Sequence, residues 1–225
     1  MKQFMLVSLL SVCLLATSCK TIDIIVNPTH KILLHDINRL SKNSILVKFK
    51  NGSKMVVTKF NETYLEEASL LLQDSKYIMK NNIKFLEIRM TNTGGSIFIM
   101  TMIIDIIKDL KDHGVHITTV CESVVASAAV SIFELGDVRI MSPNGWIMMH
   151  PAQGINRNYI NESTLKMLEN IEDLYASIIS LRSKLSKEEV LSFLRSPNSN
   201  DMYWFNAKEC LELGLIDKID LILEY

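Results

Sequence analysis

Three short stretches between Gly94 and Pro151 carry the groups that acyl transfer uses: a hydroxyl, an imidazole and the amides of a glycine pair. Ser127 lies in Val124-Val125-Ala126-Ser127-Ala128-Ala129-Val130. A serine hydroxyl becomes a useful nucleophile only when a base takes its proton and its position is fixed. The small neighbours leave room for a substrate and put Ser127 at the start of an apolar helix, where the helix dipole favours developing negative charge. Serine is also a common helix N-cap, so local sequence suits a plain cap equally well, and Ser123 competes for both roles. His150 ends an apolar strand beside Pro151, and its near-neutral pKa suits a general base; a structural histidine looks the same locally. Among the other histidines, His113 and His116 bracket a helix-to-strand loop, and His30 and His35 lie in the N-terminal leader. Gly94-Gly95 is either a strand-to-helix turn or a place where the Gly95 amide meets a tetrahedral oxyanion, with the Ala128 amide as second donor.

Hydrophobic periodicity supplies the elements that position these groups. Ser44–Phe49 and Lys54–Thr58 flank Asn51-Gly52, a hairpin signal. Leu65–Lys80 has helical spacing, with Leu65, Ala68, Leu72 and Ile78 near one face. Lys84–Met90 reads as a strand, and Ser96–Leu110, apolar almost all round, as a buried helix closed by Asp112-His113-Gly114. Val115–Val120 is a β-branched strand, Ala126–Glu134 a second buried helix, and Arg139–Met141 with Gly145–Met149 a strand pair around Pro143-Asn144. Ser163–Leu185 is a long amphipathic helix and Lys187–Leu194 a shorter one. Ala207–Gly214 is the last helix and Ile216–Ile222 the last strand. Strands alternating with helices argue for α/β architecture with a mostly parallel sheet, whose ligands sit at the carboxyl ends of the strands. Gly94 and Ser127 both fall there.

With 48% hydrophobic and 22% charged residues over 225 positions, the chain reads as globular, and a net charge of -1 argues against nucleic-acid binding. The first nineteen residues differ. Lys2 begins a positive region, Phe4–Ala16 is an apolar run too short to span a bilayer comfortably, and Leu15-Ala16-Thr17-Ser18-Cys19 resembles a bacterial lipobox. The expectation is a signal peptide over 1–19, lipidation of Cys19, and one domain over 20–225, exported and tethered facing the periplasm or the cell exterior. A soluble periplasmic form, after ordinary cleavage, is the alternative. Cys121 in a strand and Cys210 on a helix are expected to be separate buried thiols, and no metal or cofactor is expected.

Thr91-Asn92-Thr93-Gly94-Gly95-Ser96, Cys121–Ala129 and Ser142-Pro143-Asn144-Gly145-Trp146-Ile147-Met148-Met149-His150-Pro151 follow the order and nearly the spacing of three motifs in the Clp protease proteolytic subunit. Tyr203–Glu209 and Leu213–Asp217 are similar to that family's C-terminal signature. The chain therefore resembles the ClpP/crotonase superfamily over roughly Phe85–Ile219. The resemblance implies a ClpP/crotonase-like βαβ superhelix with a helical handle in Asn156–Leu185. It also implies a serine endopeptidase in which Ser127 attacks, His150 is the base, and the amides of Gly95 and Ala128 hold the oxyanion.

Two positions depart from the family. Thr93 stands where proline usually precedes the glycine pair. Met202 occupies the place of the acidic triad member, so Asp201, one residue earlier, is the candidate, with Asn200 and Asp173 as substitutes. The substrate implied is a peptide or unfolded polypeptide, added as a strand beside the residues after Gly95, and the assembly a homo-oligomeric ring. Cytosolic members receive chains from an ATP-driven unfoldase, and an exported compartment holds no ATP, so this chain would take short or already unfolded peptides or use another partner. The alternative function is a catalytically weak or inactive lipoprotein scaffold for binding or assembly. A crotonase-type acyl-CoA enzyme is disfavoured, because that chemistry does not ordinarily use a serine at a helix start.

Overall fold

The computed structural model describes residues 40–49, 52–153, 159–198 and 200–221. Cys19, the signal segment, the leader histidines and the first residues of the expected handle lie outside them. Near the start of the described chain, β1 (Ser44–Lys48) and β2 (Lys54–Phe60) form the expected antiparallel hairpin. Gly52 turns it at φ 84, donating its N–H to the Phe49 carbonyl at 2.9 Å. From β2 the sheet continues in parallel through β3 (Phe85–Asn92), β4 (His116–Ala126), β5 (Val138–Met141) and β8 (Lys218–Ile219). Helices α1 (Leu65–Lys80), α2 (Ile97–Asp112) and α3 (Ala128–Phe133) make the connections between successive strands from β2 to β5. Helices α4 (Glu162–Ser180), α5 (Lys187–Leu194) and α6 (Ala207–Leu213) complete the chain.

The sheet forks on β4. Thr118–Cys121 pair with β5, whereas Val124–Ala126 pair with β6 (Trp146–Met149), which in turn pairs antiparallel with β7 (Tyr203–Asn206). The two strands around Pro143-Asn144, expected to pair with each other, instead occupy successive halves of one long neighbour. Strand β4 extends to Ala126, beyond the expected end at Val120, so α3 is only six residues long. Residues 121–126 continue the strand because β3 and β6 supply ladder partners on both sides, which no local pattern reveals.

Other differences have local causes. The inward face of α1 is Ala68, Leu71, Tyr77 and Ile78, with Leu65 and Leu72 exposed. Along α2, Met100, Ile103, Ile104, Ile107 and Leu110 are buried but Phe98 and Met102 are open to solvent, so its apolar surface is not fully enclosed. Helix α4 stops at Ser180, short of the expected Leu185, and Ser186 starts α5 with a capping box. The last strand shrinks to two residues. Cys121 and Cys210 are separate free thiols, both buried; burial pushes the Cys121 thiol up to about 12.

Behind the site, a charge network ties α3 to the C-terminal segment. Arg139 on β5 meets the buried Glu134 through Nη1 and holds Asp217 through Nη2 at 2.9 Å, while Arg182 reaches Asp217 at 3.4 Å. Burial pushes the Glu134 carboxyl up to about 8, against the pull of Arg139. A buried pair adds little over an apolar substitute, but removing one partner strands the other. Above about pH 8, where Glu134 is ionised, Arg139→Leu is therefore expected to lose about 3–5 kcal/mol in denaturant unfolding; a loss below about 1 kcal/mol there would show that Glu134 keeps its proton and tolerates isolation. Because its folded pKa lies above the ordinary 4.5, the Glu134 contribution is complete below that value and is lost as pH rises through about 8. Melting curves between pH 5 and 9 should fall more steeply for the wild type than for Glu134→Gln.

Candidate active site

Ser127 is the single residue between β4 and α3, with φ 55 and ψ -133. For a residue with a side chain, backbone held in this region costs about 1–3 kcal/mol. The neighbours hold it there. Its N–H donates to the Met148 carbonyl at 2.8 Å, and its own carbonyl accepts from Val130 N–H and from the Tyr175 hydroxyl, both at 3.0 Å. The hydroxyl makes no cap bond to α3, so the reading of Ser127 as a plain N-cap does not hold. Ser123 stays on β4, its hydroxyl donating to Thr91 Oγ1 at 3.1 Å. With six residues α3 carries little macrodipole; what it offers is the amide of Ala128 at its start.

The glycine pair packs directly against this elbow. At Gly94 (φ 99) an added Cβ would stand 2.6 Å from the Ser127 Cβ and 2.9 Å from the Ala126 carbonyl, so only glycine fits. Asn92, buried at the end of β3, accepts the Gly94 N–H on Oδ1 at 2.8 Å and so shapes the turn. Gly95 bridges Thr63 in parallel: Thr63 N–H donates to the Gly94 carbonyl and Ser96 N–H to the Thr63 carbonyl. That pattern directs the N–H of Gly95 itself away from Thr63. After Gly95 there is no strand for a peptide to extend, because Ser96 caps α2 and its N–H is already taken. The expected docking edge therefore does not exist in this form.

His150 and Ser127 line one cavity of about 50 Å³, with Ile97, Met100, Leu168 and Ile171 as apolar wall and Glu172 and Tyr175 from α4. This volume accepts water-sized groups, so anything larger must lie across its mouth. The two groups are not hydrogen-bonded to each other among the described residues, a looseness common in unliganded sites. His150 Nδ1 stands 2.6 Å from the Pro151 carbonyl oxygen. A carbonyl can only accept, so Nδ1 carries the hydrogen. In the neutral ring Nε2 then bears the lone pair, which is the tautomer of a base.

The carboxylate expected to orient His150 is engaged elsewhere. Asp201 accepts from Ser196 Oγ and from Asn198 Nδ2, closing its own turn. Met202, at the position of the family's acid, is half exposed. Asp173 is engaged with Lys187 at 2.9 Å and Arg195 at 3.0 Å, and Asn200 donates its N–H to Asn198 Oδ1. Sequence reasoning missed Tyr175, which reads as one more apolar residue of an amphipathic helix. It also missed Asn92, although asparagine just before a glycine pair is a turn-forming type.

Residues 53–221 match the Clp protease family. The chain is similar to the ATP-dependent Clp protease proteolytic subunit of Porphyromonas gingivalis, with 28% identity over 158 residues. That match covers 68% of this chain and 65% of the relative, just under two thirds of its length. Among solved structures, an enzyme of 18% identity superposes with TM-score 0.60, covering 75% of this chain and 96% of its own. A ClpP1 variant from Listeria monocytogenes, 22% identical, gives 0.59 over 75% and 91%. At such identities the structures establish a shared fold, the ClpP/crotonase-like α/β architecture with its mostly parallel sheet.

Gly94→Ala tests whether the glycine pair shapes the nucleophile. With its Cβ driven into Ser127, the variant should fold with β-sheet circular dichroism intact but react with a serine-directed probe at least about 100-fold more slowly, the scale on which a misplacement near 1 Å acts. An unchanged rate would mean that Ser127 moves aside without consequence.

Proposed function

We propose that this chain, which belongs to the Clp protease family, is a serine endopeptidase in which Ser127 is the nucleophile and His150 the general base. The observation that carries the reading is the shared cavity. It brings a serine hydroxyl not spent on capping, on a strained strand-to-helix elbow, together with a histidine whose proton on Nδ1 is held by a carbonyl. His150 Nε2 takes the Ser127 proton as Oγ attacks the peptide carbonyl. The Gly95 and Ala128 amides receive the oxyanion, the imidazolium passes the proton to the leaving amine, and water releases the acyl group.

The orienting role expected of Asp201 falls instead to the Pro151 carbonyl. A carbonyl sets the tautomer but offers only a dipole to the imidazolium, so this reading favours modest turnover. Loss of the acid costs about 10⁴ in the chymotrypsin-type example yet leaves residual catalysis.

A fluorophosphonate probe should label Ser127, and both Ser127→Ala and His150→Ala should abolish labelling. Asp201→Asn should slow it by less than about threefold, since the carboxylate serves its own turn; a loss of 10³ or more would instead show that Asp201 reaches His150 in the working state, as the triad logic requires. Failure of the folded wild type to label would leave the non-catalytic scaffold as the surviving reading.

The partners proposed are short or unfolded peptides and further copies of this chain in a ring. Lipidation at Cys19 would tether the protein outside the cytoplasm. No helix among the described residues is long and apolar enough to cross a membrane. Cys19→Ser should move the protein from the membrane fraction to the soluble one; retention in the membrane fraction would indicate an uncleaved anchor.

A further inference from the structure

We infer that Tyr175 is a positioning residue that holds the nucleophile's backbone in its strained conformation, an inference that rests on the proposed role of Ser127. Three hydrogen bonds fix the Ser127 peptide groups. The N–H bond to Met148 belongs to the β4–β6 ladder, and the Val130 bond is the local start of α3. The third, from the Tyr175 hydroxyl at 3.0 Å, is the only one that reaches a separate helix, α4. Tyr175 is 5% exposed and belongs to the central core cluster, so its ring has one place to be and its hydroxyl one direction to point.

That geometry suits a clamp. A buried phenol needs a partner for its O–H, and burial pushes the Tyr175 hydroxyl upward in pKa, keeping it a donor. The acceptor is the carbonyl of the one described non-glycine residue besides Asn82 with positive φ. Relaxation of Ser127 toward ordinary helical angles would swing this carbonyl off the Tyr175 hydroxyl and turn the Cβ–Oγ bond away from the cavity. The same helix lines that cavity through Leu168, Ile171 and Glu172, so a shift of α4 would be felt by Ser127 through this bond.

Tyr175→Phe keeps the ring and removes only the clamp. If the ring alone matters, the variant behaves as wild type. In the positioning role, fluorophosphonate labelling slows about 10- to 100-fold, kcat for a peptide falls by a similar factor, and KM stays within about twofold. The pH profile keeps its midpoint, because His150 is not touched. Amide hydrogen exchange supplies a readout independent of catalysis: exchange at Ser127 and Val130, whose N–H groups are bonded at the elbow, should quicken at least about fivefold as the elbow loosens. Labelling within twofold of wild type overturns the inference.

If wild type itself fails to label, the hydrolytic reading fails. The exchange comparison still decides Tyr175, with equal protection overturning the clamp and faster exchange retaining it. If Tyr175→Phe does not fold, Ser127→Gly should restore folding, since glycine adopts positive φ without a clamp; absence of rescue assigns Tyr175 to ordinary packing and overturns the proposal.

Discussion

The two-part pairing of β4 is the constraint on which the site depends. Its first half is bound to β5 and its second half to β6, in the register Ala126↔Met148. Ser127 follows Ala126 by one residue and His150 follows Met148 by two, so one ladder sets the height of both side chains. The bond from Ser127 N–H to the Met148 carbonyl extends that ladder past the strand end and into the Ser127 elbow. On the other side β3 ends at Asn92, in register with Val125, and the glycine turn follows. Ser127, His150 and the glycine pair thus leave neighbouring strands at one edge, where open parallel sheets place their ligands.

Strain is stored at that edge and offset around it. Ser127 adopts a conformation that disfavours side chains, and Gly94 gives up its Cβ so that Ser127 can approach within contact distance. The core beneath is close-packed: Ala128, Ala129, Val130, Ile132 and Phe133 are all buried. A six-residue helix has little stability of its own, so α3 exists because that packing holds it. The ion network of Glu134, Arg139, Asp217 and Arg182 fixes its far end.

On the histidine side of the site, a backbone carbonyl sets the tautomer of His150. Pro151 fixes the chain direction after β6, and its carbonyl turns back on His150 Nδ1. Asp201 lies two residues before β7 and is absorbed by the Ser196–Asn198 turn. Strand β7 pairs with β6 from Tyr203 onward, which places Met202, and not Asp201, next to the residue paired with Met149. The side chain that the register delivers beside the end of β6 is a thioether, and the carboxylate is spent on the preceding loop.

Much of this was legible in the sequence, for a physical reason. Alternation of apolar strands and helices expresses burial, so the β1–β2 hairpin at Gly52, the strands around Lys84–Met90 and Val115–Val120, and the helices at Leu65–Lys80 and Lys187–Leu194 could be read from residue types alone. Gly94-Gly95, Ser127 and His150 could be singled out because a positive-φ turn, a hydroxyl among small residues and an imidazole at a strand end each depend on a particular residue type. Tertiary structure alone decided the rest. The extension of β4 to Ala126, the division of its partners between β5 and β6, the strand at Tyr203–Asn206, the Tyr175 hydroxyl on the Ser127 carbonyl and the loss of Asp201 to its own turn all depend on which backbone meets which. Pairing register and long-range hydrogen bonds join residues far apart in the chain, and local periodicity carries no record of those meetings.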